Sequence, residues 1–177
     1  SPGAAPAADR SDDVLRSPVR VTAGGSNQFM GVLSPDGRSL YYASDRGATT
    51  EIFRADPTGG NPRLLFDRNA SVTWPRPSPD GKRLLYISFR SDATGDVCVL
   101  DLAESGHTCV TGNGTSDVQA FWFPDGRSIG VVQRTGLHGD YRLLRVPAGG
   151  GPASTLVDRS LSAPALSPDG RWLAYVP

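Results

Sequence analysis

The sequence predicts an all-β fold, a β-propeller of four-stranded blades, and three observations predict it. A turn motif is written four times: "VLSPDGRSLYY" from Val32, "RPSPDGKRLLY" from Arg76, "FWFPDGRSIGV" from Phe121 and "ALSPDGRWLAY" from Ala165. The turns begin at Ser34, Ser78, Phe123 and Ser167, at spacings of 44, 45 and 44 residues. A period of that length fits one propeller blade. Between the turns lie β-branched and aromatic runs broken by Gly and Pro, with no sustained 3.6-residue apolar pattern, so helical repeats of similar period do not fit.

Each repeat has the same internal order. A short first strand is expected at 30–33, 74–77, 119–122 and 163–166. The Pro-Asp-Gly turn follows: Pro sets φ, Asp bonds the backbone two residues on, and Gly takes the positive-φ position. A second strand comes next at 40–44, 84–88, 129–133 and 173–176. These runs do not alternate strictly between apolar and polar, which implies burial on both faces, as in a sheet held between two others. A polar loop leads to a third strand at 51–55, 96–100 and 141–145, and a hairpin leads to a fourth at 63–66, 108–111 and 154–157. The repeats therefore run near 29–66, 73–111, 118–157 and 162–177.

Residues 18–22 stand where a fourth strand stands before each later turn, so they read as an orphan fourth strand. The expectation is three complete blades plus a partial one. Such a chain is part of a larger propeller, pairs with a second copy, or closes alone as a four-bladed ring. Residues 1–17, rich in Ala, Pro, Ser and Asp, read as a flexible tether. A stub of this kind often remains when a leader or anchor is removed, which favours an exported origin over the alternative of a linker from an upstream domain.

Composition excludes some functions. Lysines and arginines number 18, as do aspartates and glutamates, so a nucleic-acid partner has no electrostatic support. No apolar run approaches the ~18 residues of a membrane-spanning helix.

The stretch "LSPDGRSLYYASDRGATTEIFRADPTGGNPRLL" resembles the repeats of the TolB-like propellers, the WD40-like repeats of the Pro-Asp type. Ser-Pro-Asp-Gly, Ser44-Asp45-Arg46 and Glu51-Ile52-Phe53 carry the likeness, which covers 18–177. The third repeat departs from it, with Phe123 in place of Ser and a longer loop at 134–140. The resemblance implies periplasmic or secreted proteins that bind proteins or peptides. It also implies a second setting, since similar blades precede the catalytic domain of prolyl-oligopeptidase-type serine peptidases. Fold alone does not choose between the two.

The residues carry no catalytic constellation. His107 is expected in a hairpin and His138 in a loop on the opposite face, and no Gly-x-Ser-x-Gly elbow is present. No spacing of His, Cys or carboxylates suits a metal, and no cofactor motif is found. The turn aspartates Asp36, Asp80, Asp125 and Asp169, one per blade, are expected tens of ångströms apart around the ring and to serve their turns. The expectation is a non-catalytic scaffold or binding module with a protein or peptide partner. Its candidate binding residues are the arginines of one loop face: Arg46, Arg68, Arg90, Arg134 and Arg159. Trp74 and Trp122 are expected between blades, and Trp172 against something outside this chain.

Two cysteines remain. With a four-residue hairpin loop at 102–105, Cys98 falls opposite Cys109. The pair is either a cross-strand disulfide or, if the register slips by one, two buried thiols. A disulfide would favour an exported compartment.

Overall fold

The computed structural model of the chain describes residues 21–22, 25–45, 49–65, 71–91, 93–112, 114, 116–136, 140–158 and 161–176. Their fourteen strands form three four-stranded antiparallel sheets and one two-stranded sheet. The first sheet holds β1 (Gln28–Leu33), β2 (Leu40–Ser44), β3 (Glu51–Ala55) and β4 (Arg63–Leu64). The second holds β5 (Val72–Pro77), β6 (Arg83–Ser88), β7 (Asp96–Asp101) and β8 (His107–Cys109). The third holds β9 (Asp117–Trp122), β10 (Ser128–Arg134), β11 (Tyr141–Pro147) and β12 (Ser154–Val157), and the last pairs β13 (Ser162–Leu166) with β14 (Leu173–Val176). Each sheet is a simple up-and-down meander, the topology of a propeller blade. The tether at 1–17 and positions 18–20 of the orphan strand lie outside the described residues, while Val21 and Thr22 are not in a strand.

Burial follows from the stacking of blades. Tyr41 and Ile52 of the first sheet pack against Val72, Leu84, Tyr86, Cys98 and Leu100 of the second. The other face of the second sheet, through Leu85, Val97 and Val99, packs on Ala120, Ile129, Val131, Leu144 and Val146 of the third. Successive residues of β6 thus point to different neighbours, and both sets are buried. That arrangement explains the continuous apolar run, because a strand with covered faces on both sides has no solvated side to alternate with. Fully burying one such Leu or Val contributes roughly 1.5–3 kcal/mol. Val132 and Leu143 continue the stack onto Leu173 and Tyr175. The far face of β14 is open: Trp172 is 75% exposed and Val176 57% exposed.

The turns do more than reverse the chain. A Cβ built on Gly81 would lie 3.8 Å from Cδ of Pro35, one on Gly126 would lie 3.9 Å from Cδ of Pro79, and one on Gly170 would lie 3.2 Å from Cδ of Pro124. Each turn therefore seats its glycine against the proline of the preceding turn, and Gly81, Gly126 and Gly170 have φ of 68°, 62° and 71°. This corrects the expectation that the turn aspartates lie tens of ångströms apart. Adjacent turns touch, and Asp36 and Asp80 line one cavity.

The first strands carry a bulge that the sequence does not announce. Met30, Trp74 and Ala163, at matching positions four residues before the turn, have φ of 57°, 56° and 48°. The register of β1, β5 and β13 shifts at these places. In the third sheet the shift lies nearer the start of β9, and Gln119 at the matching position is regular.

Candidate functional site

The propeller has two ends. The Pro-Asp-Gly turns and the third-to-fourth-strand hairpins emerge at one, and the second-to-third-strand loops and the connections between sheets emerge at the other. The five arginines nominated from the sequence are expected at the second end, where Arg90 and Arg134 lie. Arg46, Arg68 and Arg159 lie outside the described residues. Arg90 borders a cavity of about 260 Å³ between the first and second sheets, with Tyr86, Leu100 and His107 among its walls. Arg134 ends β10 and lies over the Tyr141 ring, 5.9 Å from its centroid. Arg90 follows β6 by two residues, Arg134 closes β10, and each is exposed. Asp45, at the same end, is held by Asn27, whose backbone N–H and side-chain amide each donate to its carboxylate at 2.7 Å.

Beneath this end lies a polar network that sequence reasoning missed. Asp117, 3% exposed, accepts from the Gln133 amide at 3.0 Å and from the Thr111 hydroxyl. Gln133 Oε1 in turn accepts from Arg142 Nε at 3.0 Å, and Thr111 Oγ1 accepts the Val97 N–H at 2.8 Å. Burial pushes the Asp117 carboxyl above its usual value, and the nearby Asp96 carboxylate adds to that, against the hydrogen bonds from Thr111 and Gln133. Asp96 is itself buried, and its Oδ1 has no hydrogen-bond partner. The signal for this layer was the polar residue late in each second strand. Ser44, Ser88 and Gln133 are all buried where the preceding residues are apolar.

The turn aspartates are occupied by their turns. Asp36 accepts the Ser34 hydroxyl at 2.6 Å and the Arg38 N–H at 3.0 Å, and these bonds hold its carboxyl below the usual range. Asp80 and Asp169 repeat the pattern with Ser78 and Ser167. Asp125 has Phe123 where the others have serine. Burial pushes its carboxyl upward, and the Arg127 and Ser128 N–H groups with the Arg145 charge bring it below the usual range. Its other oxygen, Oδ2, pairs with Arg145 at 2.9 Å and accepts the Ser128 hydroxyl at 3.3 Å.

Trp122 links two blades: its indole N–H donates to the Arg76 carbonyl at 2.9 Å, and Arg83 stacks on its ring at 4.9 Å. Trp74 lies beside Arg76 of its own strand. His107 begins β8 in the β7–β8 hairpin, paired with Leu100, and His138 lies outside the described residues. Among the described residues no group of three or more His, Cys, Asp or Glu side chains is placed to hold a metal ion.

The cysteines sit on the outer strands of the second blade. Cys98 is the register partner of Cys109, and the structure joins them, with Cα atoms 3.9 Å apart. Flanking bonds run from Asp101 N–H to the Gly106 carbonyl and from Val110 N–H to the Val97 carbonyl, so 98 and 109 form a non-hydrogen-bonded pair, the closer type.

Repeated meanders, inter-blade packing through both faces of the second strand and stacked Pro-Asp-Gly turns define a β-propeller. No family model matches the sequence. Protein Atu1656 of Agrobacterium fabrum is 32% identical over 149 residues, covering 81% of this chain and 49% of that protein. A TolB homolog of Chlorobium luteolum is 30% identical over 144 residues, 79% of this chain and 31% of the other. Peptidase YuxL of Bacillus subtilis is 30% identical over 143 residues, 80% of this chain and 20% of the other. Among solved structures, TolB of Acinetobacter baumannii superposes with a TM-score of 0.70 at 22% identity, over 86% of this chain and 38% of that one. A puromycin-hydrolyzing peptidase of Mycobacterium tuberculosis superposes at 0.63 and 21%, over 87% and 28%. The chain belongs to the TolB-like β-propellers, and it spans half or less of the length of these relatives.

Proposed function

We propose that the chain is a non-catalytic binding module that presents its loop end to a protein or peptide partner outside the cytoplasm. The observation that carries this reading is where the blades leave their polar groups. The second strands are consumed in packing between sheets, while exposed Arg90, Arg134, Asp140 and Asp158 stand at the loop end. Interleaved charge of this kind suits a polypeptide, with Arg offering forked donors to carboxylates and backbone carbonyls. The TolB relatives support it, one of them being named a Tol-Pal system protein. The joined cysteines support an exported, periplasmic or secreted compartment, where such bonds persist.

The test is capture of partners by a tagged chain with a chemical cross-linker, in the wild type and with Arg46, Arg90 and Arg134 changed to Glu. The expected outcome is loss of the captured partner with circular dichroism unchanged. Undiminished capture by the triple variant would assign these arginines to solvation.

A second reading rests on the likeness to YuxL and to the puromycin-hydrolyzing peptidase. In it the blades are the accessory propeller of a prolyl-oligopeptidase-type serine peptidase. A full-length protein with a downstream Gly-x-Ser-x-Gly motif that reacts with a fluorophosphonate probe would decide for it.

A further inference from the structure

The turn end of the first blade holds a cavity of about 340 Å³ walled by Arg38, Arg54, Arg63, Asp56 and Asn61. Arg54 and Arg63 are register partners across β3 and β4, so two like charges stand directly opposed. Directly opposed like charges on a sheet are destabilising, and a fold tolerates them where something else compensates. Arg38, just after the turn, brings a third guanidinium to the same cavity.

The other blades show that this cluster is particular. The residues matching Arg38, Arg54 and Arg63 are Lys82, Val99 and Thr108 in the second blade and Arg127, Arg145 and Ser154 in the third. Arg145 matches Arg54, and it is neutralised by its own turn aspartate, Asp125. In the first blade no such pair is made. Asp36 takes the Ser34 hydroxyl and the Arg38 N–H on one oxygen, Oδ1, and Arg54 gives its Nε to the Ser39 hydroxyl at 3.0 Å instead. The one acid in the cavity, Asp56, accepts from Asn61 Nδ2 at 2.7 Å within its own hairpin. Among the described residues no ion pair joins an acid to Arg38, Arg54 or Arg63.

We infer that this cavity is a carboxylate-binding site, taking an acidic side chain or the free C-terminus of a polypeptide. Three guanidinium groups line the cavity against the single carboxylate of Asp56, which pairs with none of them, and their planar forks match the two oxygens of a carboxylate. The site lies at the opposite end of the blades from the loop arginines and does not depend on them.

The test uses the full 177-residue chain and three probes in calorimetric titrations: an amidated tetraglutamate peptide, tetraglycine with a free C-terminus, and inorganic phosphate. Arg54→Gln/Arg63→Gln is compared with Lys82→Gln/Arg171→Gln, which removes the same charge from other turns. The expected result is that the wild type and the Lys82/Arg171 variant bind a carboxylate peptide alike, and that the Arg54/Arg63 variant binds it at least tenfold more weakly. Preference for tetraglutamate would assign side-chain carboxylates, and preference for tetraglycine would assign the terminus. Absence of binding to both peptides, equal loss in the two variants, or tighter binding of phosphate than of either peptide would overturn the inference. Thermal unfolding without ligand supplies a second readout. Arg63→Ser, which installs the residue of the third blade, is expected to raise the midpoint by relieving the opposed charges. A fall would make the arginines part of the hairpin's own support and overturn the site.

Discussion

At the scale of single residues, space and charge decide different outcomes. Gly130 faces Phe121 across β9 and β10, and a Cβ at 130 would lie 2.3 Å from the ring. The ring fills the room that a side chain would take, so Gly130→Ala must displace an aromatic that packs toward the last sheet. We expect a loss of about 1–3 kcal/mol in urea unfolding, the usual range for overpacking. Asp117 poses the electrostatic counterpart. Its folded pKa is raised by burial, so the native state holds its proton more tightly than the unfolded chain does. The contribution of this group is therefore most favourable below its ordinary value and falls as pH rises through the raised one. Asp117→Asn keeps an acceptor for Gln133 and removes the buried charge. The variant should gain stability relative to wild type as pH goes from about 4 to 7, read by thermal unfolding across that range. A difference that does not change with pH would place the charge elsewhere. Asp36, Asp80 and Asp169 act with the opposite sign: their lowered values add stability above the usual carboxylate range, and it is lost as pH falls.

At the scale of the element, the hairpin of β7 and β8 shows how register turns sequence into a covalent constraint. Its turn is held by Asp101, whose carboxylate accepts from Ala103 N–H at 2.8 Å and Glu104 N–H at 3.0 Å. That capped turn sets 101 against 106, and with it 98 against 109. The loop so closed is short, and its contribution is at most roughly 3 kcal/mol in the chain-entropy model. Thiol counting on denatured, unreduced protein should find none free. Two free thiols would contradict the bond and remove its support for export. The hairpin was legible beforehand because its loop length and turn residues are local. The left-handed bulge at Met30, Trp74 and Ala163 was not legible. None of the three is a residue that favours positive φ, and only pairing to a neighbouring strand puts them there.

At the scale of the whole molecule, the last sheet is the vulnerable part. β14 pairs with β13 on one side only among the described residues, and its outward face carries Trp172 and Val176. An open strand edge beside an exposed apolar face invites pairing with another chain. Light scattering of the purified 177-residue chain is expected to show a dimer or larger species, with Val176→Lys shifting it toward the monomer. A cooperatively folding wild-type monomer would support closure as a four-bladed ring.

The sequence alone determined the period, the turns, the strand order and the double-sided burial of the second strands, because each is a local pattern written several times. Repetition made weak signals strong: one Ser-Pro-Asp-Gly is a turn, and four at an even spacing are blades. Tertiary structure decided what depends on distances between blades. It brought the Pro-Asp-Gly turns into contact where sequence reasoning had set them far apart. It buried Asp117 with Gln133, separated by 16 positions, and it left Arg54 without the acid that its counterpart Arg145 has. A repeat states what each blade contains. Which charges meet, and which remain unanswered, follows only when the blades are packed side by side.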